Sequence, residues 1–223
     1  MKRKDCPQVS TRGLKKMELT DKLPALTEQQ LPETINMIGR AFQKDPFSAH
    51  IYPDAEERQR RLKLMFAIAL RFSFRYGEVS ITPEGTGAAC WLPPECTTVS
   101  FKQLLSIGAL QLSLQMGLPA MGRINNSEGY MKSERRRCVP QPHWYLWVLG
   151  VDPDNQGQGL GGLLLRSGLE RADASALPCY LETMNPANVT LYQKFGFEIA
   201  GEGTMPHSNV TMWSMLRPAR THV

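Results

Sequence analysis

The stretch HWYLWVLGVDPDNQGQGLGGLLL, residues 143–165, changes character twice. From His143 to Val151 it is apolar and aromatic, with β-branched Val148 and Val151, and reads as a buried strand. Asp152-Pro153-Asp154-Asn155 stops it, because proline has no N–H for a ladder and Asp and Asn favour turns. Four glycines follow within six residues (Gly157, Gly159, Gly161 and Gly162) and run directly into Leu163-Leu164-Leu165. Glycine lets a ligand approach the backbone. The unpaired N–H groups of the next helix, with the positive end of its dipole behind them, point at that ligand. A strand, a glycine turn and a helix in this order form a phosphate cradle.

Two patterns fit the cradle. Gly157-x-Gly159-x-x-Gly162 matches the dinucleotide fingerprint, with Glu182 twenty positions on as its ribose acid. Gln156-x-x-Gly159-x-Gly161, preceded by Val151-x-Pro153, resembles instead the acetyl-CoA loop of the GNAT superfamily of N-acetyltransferases. A dinucleotide domain needs several further βα units, and only about sixty residues follow the loop. Those residues carry a second signature resembling GNAT enzymes, Asn185-Pro186-Ala187-Asn188 through Leu191-Tyr192-Gln193-Lys194-Phe195-Gly196-Phe197. Two signatures in order favour the acetyltransferase reading. Trp91-Leu92-Pro93-Pro94 is similar to a segment of the puromycin N-acetyltransferase branch.

The resemblance is close from His143 to Met215 and loose before that. It implies an α/β (α+β) GNAT fold: a central, mixed, mostly antiparallel twisted sheet flanked by helices, with one parallel strand–helix–strand unit forming the acetyl-CoA site. It implies that pantetheine lies along the strand as an added strand, at Leu149, Gly150 and Val151. The diphosphate would sit on Gln156, Gly157, Gln158, Gly159, Leu160, Gly161 and Gly162, and Asn188 would contact the cofactor arm. Acetyl-CoA is the expected co-substrate, and no metal is expected.

The rest of the chain sets limits on other functions. At 223 residues one domain is the default. A hydrophobic content of 42% with 21% charged residues fits a globular protein. The net charge of +5 suggests nucleic acid until its location is considered. Lys2, Arg3, Lys4, Arg12, Lys15 and Lys16 against Asp5 carry the whole excess. Residues 1–16 therefore read as a basic flexible tail and 17–223 as a single domain, with neither nucleic acid nor membrane as partner. The five cysteines are scattered, with no metal-ligand spacing, and read as free thiols. With no signal-peptide core and no membrane-length apolar run, the expected address is cytoplasmic.

Along the chain, Lys22–Leu26 reads as a short edge strand. Thr27-x-x-Gln30 is a capping box for a helix with Leu31, Ile35, Ile38 and Phe42 on one face. Asp45-Pro46 ends it, and a loop through His50 and Tyr52 leads to a second helix, capped by Asp54, with a basic outer face. Gly77 breaks that helix before paired strands at Glu78–Thr82 and Gly87–Leu92. Residues 101–120 favour a helix, roofing an acceptor pocket or packing as plain core, and Arg135-Arg136-Arg137 reads as an exposed loop. A helix with Leu165, Leu169, Ala172 and Ala176 on one face follows the cradle and ends at Pro178. A strand at Cys179–Met184, a short helix capped by Asn188 with Gly196 beyond its end, and strands at Phe197–Gly201 and Val210–Leu216 complete the chain.

The implied reaction is attack by an amine on an acetyl thioester. An alkylamine with a pKa near ~10.4 is about three units from deprotonation at neutral pH, so a base or water relay is needed. Tyr192 stands where the family places its general acid, toward the departing thiolate. Packing against the core is the alternative for such a tyrosine. Glu182 is the best carboxylate for the base, with an exposed strand residue or salt-bridge partner as its alternative; His143 and Tyr145 are weaker candidates. The aromatic walls (Trp91, Trp144, Trp147, Trp213) favour a small amine acceptor. Rival readings are acetylation of a protein or peptide, a non-catalytic CoA-binding regulator, and a dinucleotide-dependent oxidoreductase.

Overall fold

The computed structural model describes residues 23–220; the basic tail at 1–16 lies outside them. Thr27 opens the helical layer, its N–H donating to Gln30 Oε1 at 3.1 Å across one turn of tighter helix. Helix α1 (Leu31–Ala41) then buries Ile35, Met37 and Ile38. Residues 46–51 are not the expected loop. Asp45 Oδ1 accepts from the N–H groups of Phe47 and Ser48, and Pro46 supplies a preset φ, so a short helix α2 (Pro46–Ile51) forms. Asp54 caps α3 (Ala55–Tyr76) at 2.7 Å from the Glu57 N–H, and Gly77 ends it.

The sheet has six strands in the order β1-β2-β3-β4-β6-β5. They are β1 (Glu78–Ile81), β2 (Gly87–Leu92), β3 (Trp144–Val151), β4 (Cys179–Thr183), β5 (Glu198–Thr204) and β6 (Thr211–Arg217). The segment at 23–26 is shorter than the strand expected there. It touches β1 by a single bridge, Ala25 to Ser80, with the Leu26 N–H donating to the Val79 carbonyl. All neighbouring strands are antiparallel except β3 and β4, which pair only at Trp144–Cys179 and Tyr145–Tyr180. Beyond those two rungs β3 and β4 splay apart, and the β3 edge from Leu146 to Val151 has no strand partner. That opening is the feature the site is built around.

Residues 101–120 form two helices and the start of a third, rather than one. Gly108 and Gly117 hold φ of +72° and +88°, which ends each rod in turn and gives α4 (Phe101–Ser106), α5 (Ala109–Met116) and α6 (Leu118–Cys138). Arg135, Arg136 and Arg137 are therefore not a loop. They occupy the last turn of α6, where cations suit the negative end of the dipole. The basic face of α3 is more than solvated charge: Arg71 donates to the Ile107 carbonyl and Arg75 to that of Ser106, stitching α4 and α5 to α3.

After β3 the chain turns into α7 (Leu160–Ala174), which buries Leu165, Leu169 and Ala172 against the sheet. It ends at Ala174, four residues before Pro178, with Ala176 already at φ +50°. Helix α8 (Pro186–Gln193) is capped by Asn185, whose side chain accepts from the Ala187 N–H at 3.1 Å, so Asn188 sits one turn inside the helix and is free for another role.

Candidate active site

The cradle forms as its sequence requires. Gly157 and Gly159 adopt φ of +78° and +81°, a region costly for any residue with a Cβ. Gly159 is the residue from which α7 starts, and the first intrahelical bond runs from the Leu163 N–H to the Gly159 carbonyl. The N–H groups of Leu160, Gly161 and Gly162 thus have no partner inside the helix. A Cβ at Gly157, Gly159 or Gly161 would meet nothing within 4 Å, so the space before these amides is open. Gly162 differs: its Cβ would press on Phe195 Cζ at 3.0 Å, so it is small because α8's end packs there. Gly150 is likewise a packing glycine, lying under Ile38 of α1 and Phe42 just beyond it.

The turn is held from two sides. Arg40 of α1 ion-pairs with Asp152, and this hydrogen bond holds the Asp152 carboxyl below its usual range. Gln156 does not reach outward; its side-chain amide donates to the Val151 carbonyl at 3.0 Å. Any ligand pairing with Val151 must therefore use its N–H or displace Gln156.

Where β3 and β4 splay, a cavity of about 210 Å³ opens. Its lining includes Leu149 of β3, Glu182 of β4, and Asn188 and Tyr192 of α8. With Tyr145 and Trp147, six residues singled out from sequence thus converge on one space, while Gly150, Val151 and the loop from Gln156 to Gly162 lie outside its lining. Phe66 and Met65 of α3 and Met121, Ile124 and Met131 of α6 wall it with no signal in the sequence, joined by Met116 of α5, from the stretch expected either to roof a pocket or to pack as core. Of the four tryptophans expected as walls, only Trp147 lines the cavity. Trp91 is fully buried, Trp144 donates to Ser175 Oγ at 2.9 Å, and Trp213 packs on the core beneath α7.

Glu182 is buried, and burial pushes its carboxyl up to about 7. Arg135 opposes that rise from 3.8 Å, with smaller help from the hydroxyls of Tyr145 and Tyr180. Its Oε1 has no hydrogen-bond partner, an open acceptor beside an apolar cavity. The Arg135 guanidinium lies over the Tyr145 ring, 4.3 Å from its centroid. Tyr145 is pushed far above its ordinary range by burial and by Glu182, so its phenol stays protonated through the neutral range. Glu128 of α6 lines the same cavity; its side chain is accessible there yet enclosed by protein, which raises its carboxyl. Burial also raises Tyr192, which stays protonated through the neutral range and packs edge-on against Phe197. His143 is not in this cavity; its ring belongs to a separate cleft.

Residues 123–199 match the family description "Acetyltransferase (GNAT) domain", a span that includes α6, the cradle and α8. Over that span the chain is similar to the GNAT acetyltransferases. Among curated relatives, a mycothiol acetyltransferase of Streptomyces griseus is 35% identical over 83 residues, covering 31% of this chain and 27% of the relative. The N-alpha-acetyltransferase RimI of Mycobacterium tuberculosis is 34% identical over 73 residues, 33% of this chain and 46% of the relative. The matched region thus spans about a quarter to a half of these relatives' length. A solved Corynebacterium glutamicum structure, described as histone acetyltransferase HPA2 and related acetyltransferase, superposes with a TM-score of 0.59 over 91% of this chain and 98% of that one. At 19% identity that likeness concerns the GNAT fold alone. None of these three is a puromycin acetyltransferase. Among the described residues no cluster of His, Cys, Asp or Glu is placed to hold a metal, and no helix is long and apolar enough to cross a membrane.

Proposed function

We propose that the protein moves an acetyl group from acetyl-CoA to the primary amine of a small molecule with an apolar body. One observation carries this reading: a carboxylate titrating near neutrality and a buried phenol share a cavity otherwise walled by methionine and aromatic side chains. The cradle fits acetyl-CoA, since the glycines face open space and the amides behind them are unpaired in the helix. The bare edge of β3 fits the cofactor's amide-bearing arm.

Bound acetyl-CoA supplies a thioester carbonyl. This chain's residues do the rest. The apolar walls bury the acceptor's body, while Glu128 and Glu182 favour its ammonium end. Glu182 takes one proton from the ammonium, directly or through a water, freeing the nitrogen lone pair. With a pKa of about 7 it is ionised often enough to accept at neutral pH and basic enough to hold the proton. As the C–N bond forms and the C–S bond breaks, the Tyr192 hydroxyl donates to the sulfur. A phenol raised by burial gives up its proton reluctantly. Its contribution is a hydrogen bond that strengthens as charge grows on sulfur, with proton transfer completed as the nitrogen sheds its second proton.

The test is mass-spectrometric detection of N-acetyl products across a panel of amines, puromycin included. Amines with aromatic or alkyl bodies are expected to react at least about tenfold faster in kcat/KM than hydrophilic amines of equal basicity. Acetyl-CoA binding with no product from any amine would sink the catalytic reading in favour of a CoA-binding regulator. Turnover restricted to peptides would move the acceptor class to proteins. The cytosol is the compartment this reading assigns, consistent with free Cys90, Cys96, Cys138 and Cys179.

A further inference from the structure

Arg135 lines a second cleft of about 260 Å³, which shares no lining residue with the cavity. Lys132, Arg135 and Arg136 of α6 form one wall, and Thr97 and Thr98 from the loop after β2 form another. His143 completes it, and no Asp or Glu is among its lining residues. Three cations around a polar concavity without a carboxylate make a field that a diffusing anion lowers in energy.

His143 adds an independent sign. The residue is only 7% exposed, and Nδ1 lies 2.8 Å from the Gln141 carbonyl, which can only accept, so Nδ1 carries the proton. Nε2 is left buried without a partner. An orphaned polar atom of this kind calls for an occupant. Burial first, and Arg135 second, hold the ring in its neutral form against the opposing effect of the Gln141 carbonyl. The charged or titratable groups around it are Lys132, Arg135 and Arg136 from α6 and Tyr180 from β4, whose ring stands 5.9 Å away. The loop after β2 contributes Pro94, Thr97 and Thr98 to the lining.

We propose that this cleft binds a free small oxyanion, a phosphate or a short carboxylate, between Lys132, Arg136 and His143. The site is separate from the cradle: it lies at the start of β3, about 26 Å from the far end of that eight-residue strand. An anion there offsets the surrounding cations, so the His143 ring takes up a proton and Nε2–H becomes a donor to it. Arg135 lines this cleft and also stands 3.8 Å from Glu182. Bound anion therefore weakens the cation's hold on Glu182 and moves its titration upward, a consequence that rests on the acetyl-transfer reading.

The test uses the full chain labelled with 15N-histidine, the His143 signal assigned through His143→Gln, and inorganic phosphate or succinate as probe at constant ionic strength. At least one probe is expected to shift the His143 ring signals saturably toward the protonated form. The double variant Lys132→Ser/Arg136→Ser should bind that probe about tenfold or more weakly, with an unchanged melting temperature. No saturable shift with either probe across the millimolar range would overturn the proposal, as would equal affinity in a folded double variant. Because this readout needs no turnover, it stands or falls apart from the acetylation assay. Where turnover is found, the pH midpoint of the rate should rise with the bound probe in the wild type and not in the double variant; a midpoint indifferent to a bound probe would refute the link to Glu182.

Discussion

Tyr192 and Glu182 make separable claims. Tyr192→Phe keeps the ring against Phe197 and removes only the donor, so kcat should fall about 10²-fold while KM for acetyl-CoA moves little. A kcat within about threefold of wild type, with chemistry limiting, would leave Tyr192 as a packed aromatic. For Glu182 the sign follows from its raised pKa. A base must be ionised, so the rate should climb as pH rises through about 7. Arg135 is the chief group lowering that value, so Arg135→Gln should shift the profile to higher pH, whereas a purely structural arginine would lower the rate at every pH alike. Stability runs the opposite way. The folded state holds the Glu182 proton at pH values where the unfolded chain has already released it, so the wild type loses stability relative to Glu182→Gln as pH rises from about 4.5 to about 7. Melting curves of the two proteins across that range would show it. Glu182 was legible because it follows the cradle helix on the next strand. Glu128 and Arg135 were not, since their role arises where α6 crosses the splayed strands, and tertiary packing of this kind leaves no spacing signal in the sequence.

Local elements with their own punctuation were read well: β3, the glycine turn, α7, and the strands flanking Gly85. Errors fell where two signals competed. Asp45-Pro46 was read as a stop, yet the same pair is a helix start, and Asp45 uses it as one. Asn188 was read as the cap because Asn is a good one, but Asn185, just before Pro186, took the position. The cradle offers the clearest test at this scale. A carboxylate at Gly159 would combine charge repulsion with strain from a φ of +81°. Gly161 carries no positive φ and faces open space, so Gly161→Glu places an anion before the α7 amides without forcing the backbone. Acetyl-CoA affinity should weaken by more than about tenfold, and Gly161→Ala should change it by much less. Calorimetry on both variants decides it, and equal affinities would remove the diphosphate from this loop.

At the scale of the whole molecule, the cavity lies where two packed cores meet. They lie on opposite faces of the sheet: one joins α1 and α3 to Ala88, Cys90 and Val148, the other joins α7 and α8 to Ala89, Trp91, Leu146 and the strands beyond. Only two rungs of ladder join β3 to β4, so much of the joint is open sheet edge. A ligand that lays its own amides along that edge and its phosphates on α7 binds the folded joint and has nothing comparable to bind in the unfolded chain. Mass action then stabilises the fold by about 2.7 kcal/mol at a hundredfold excess over Kd. For a domain of this size each kcal/mol is worth roughly 2–4 °C, so acetyl-CoA should raise Tm by about 5–10 °C. NAD meets the same glycines but has neither a thioester nor a pantetheine arm to run along β3, so its shift should be much smaller. This comparison separates the two functions that the glycine pattern alone left open. A rise in Tm with NAD and none with acetyl-CoA would show that the cradle serves a dinucleotide and that the cavity beside it has another use.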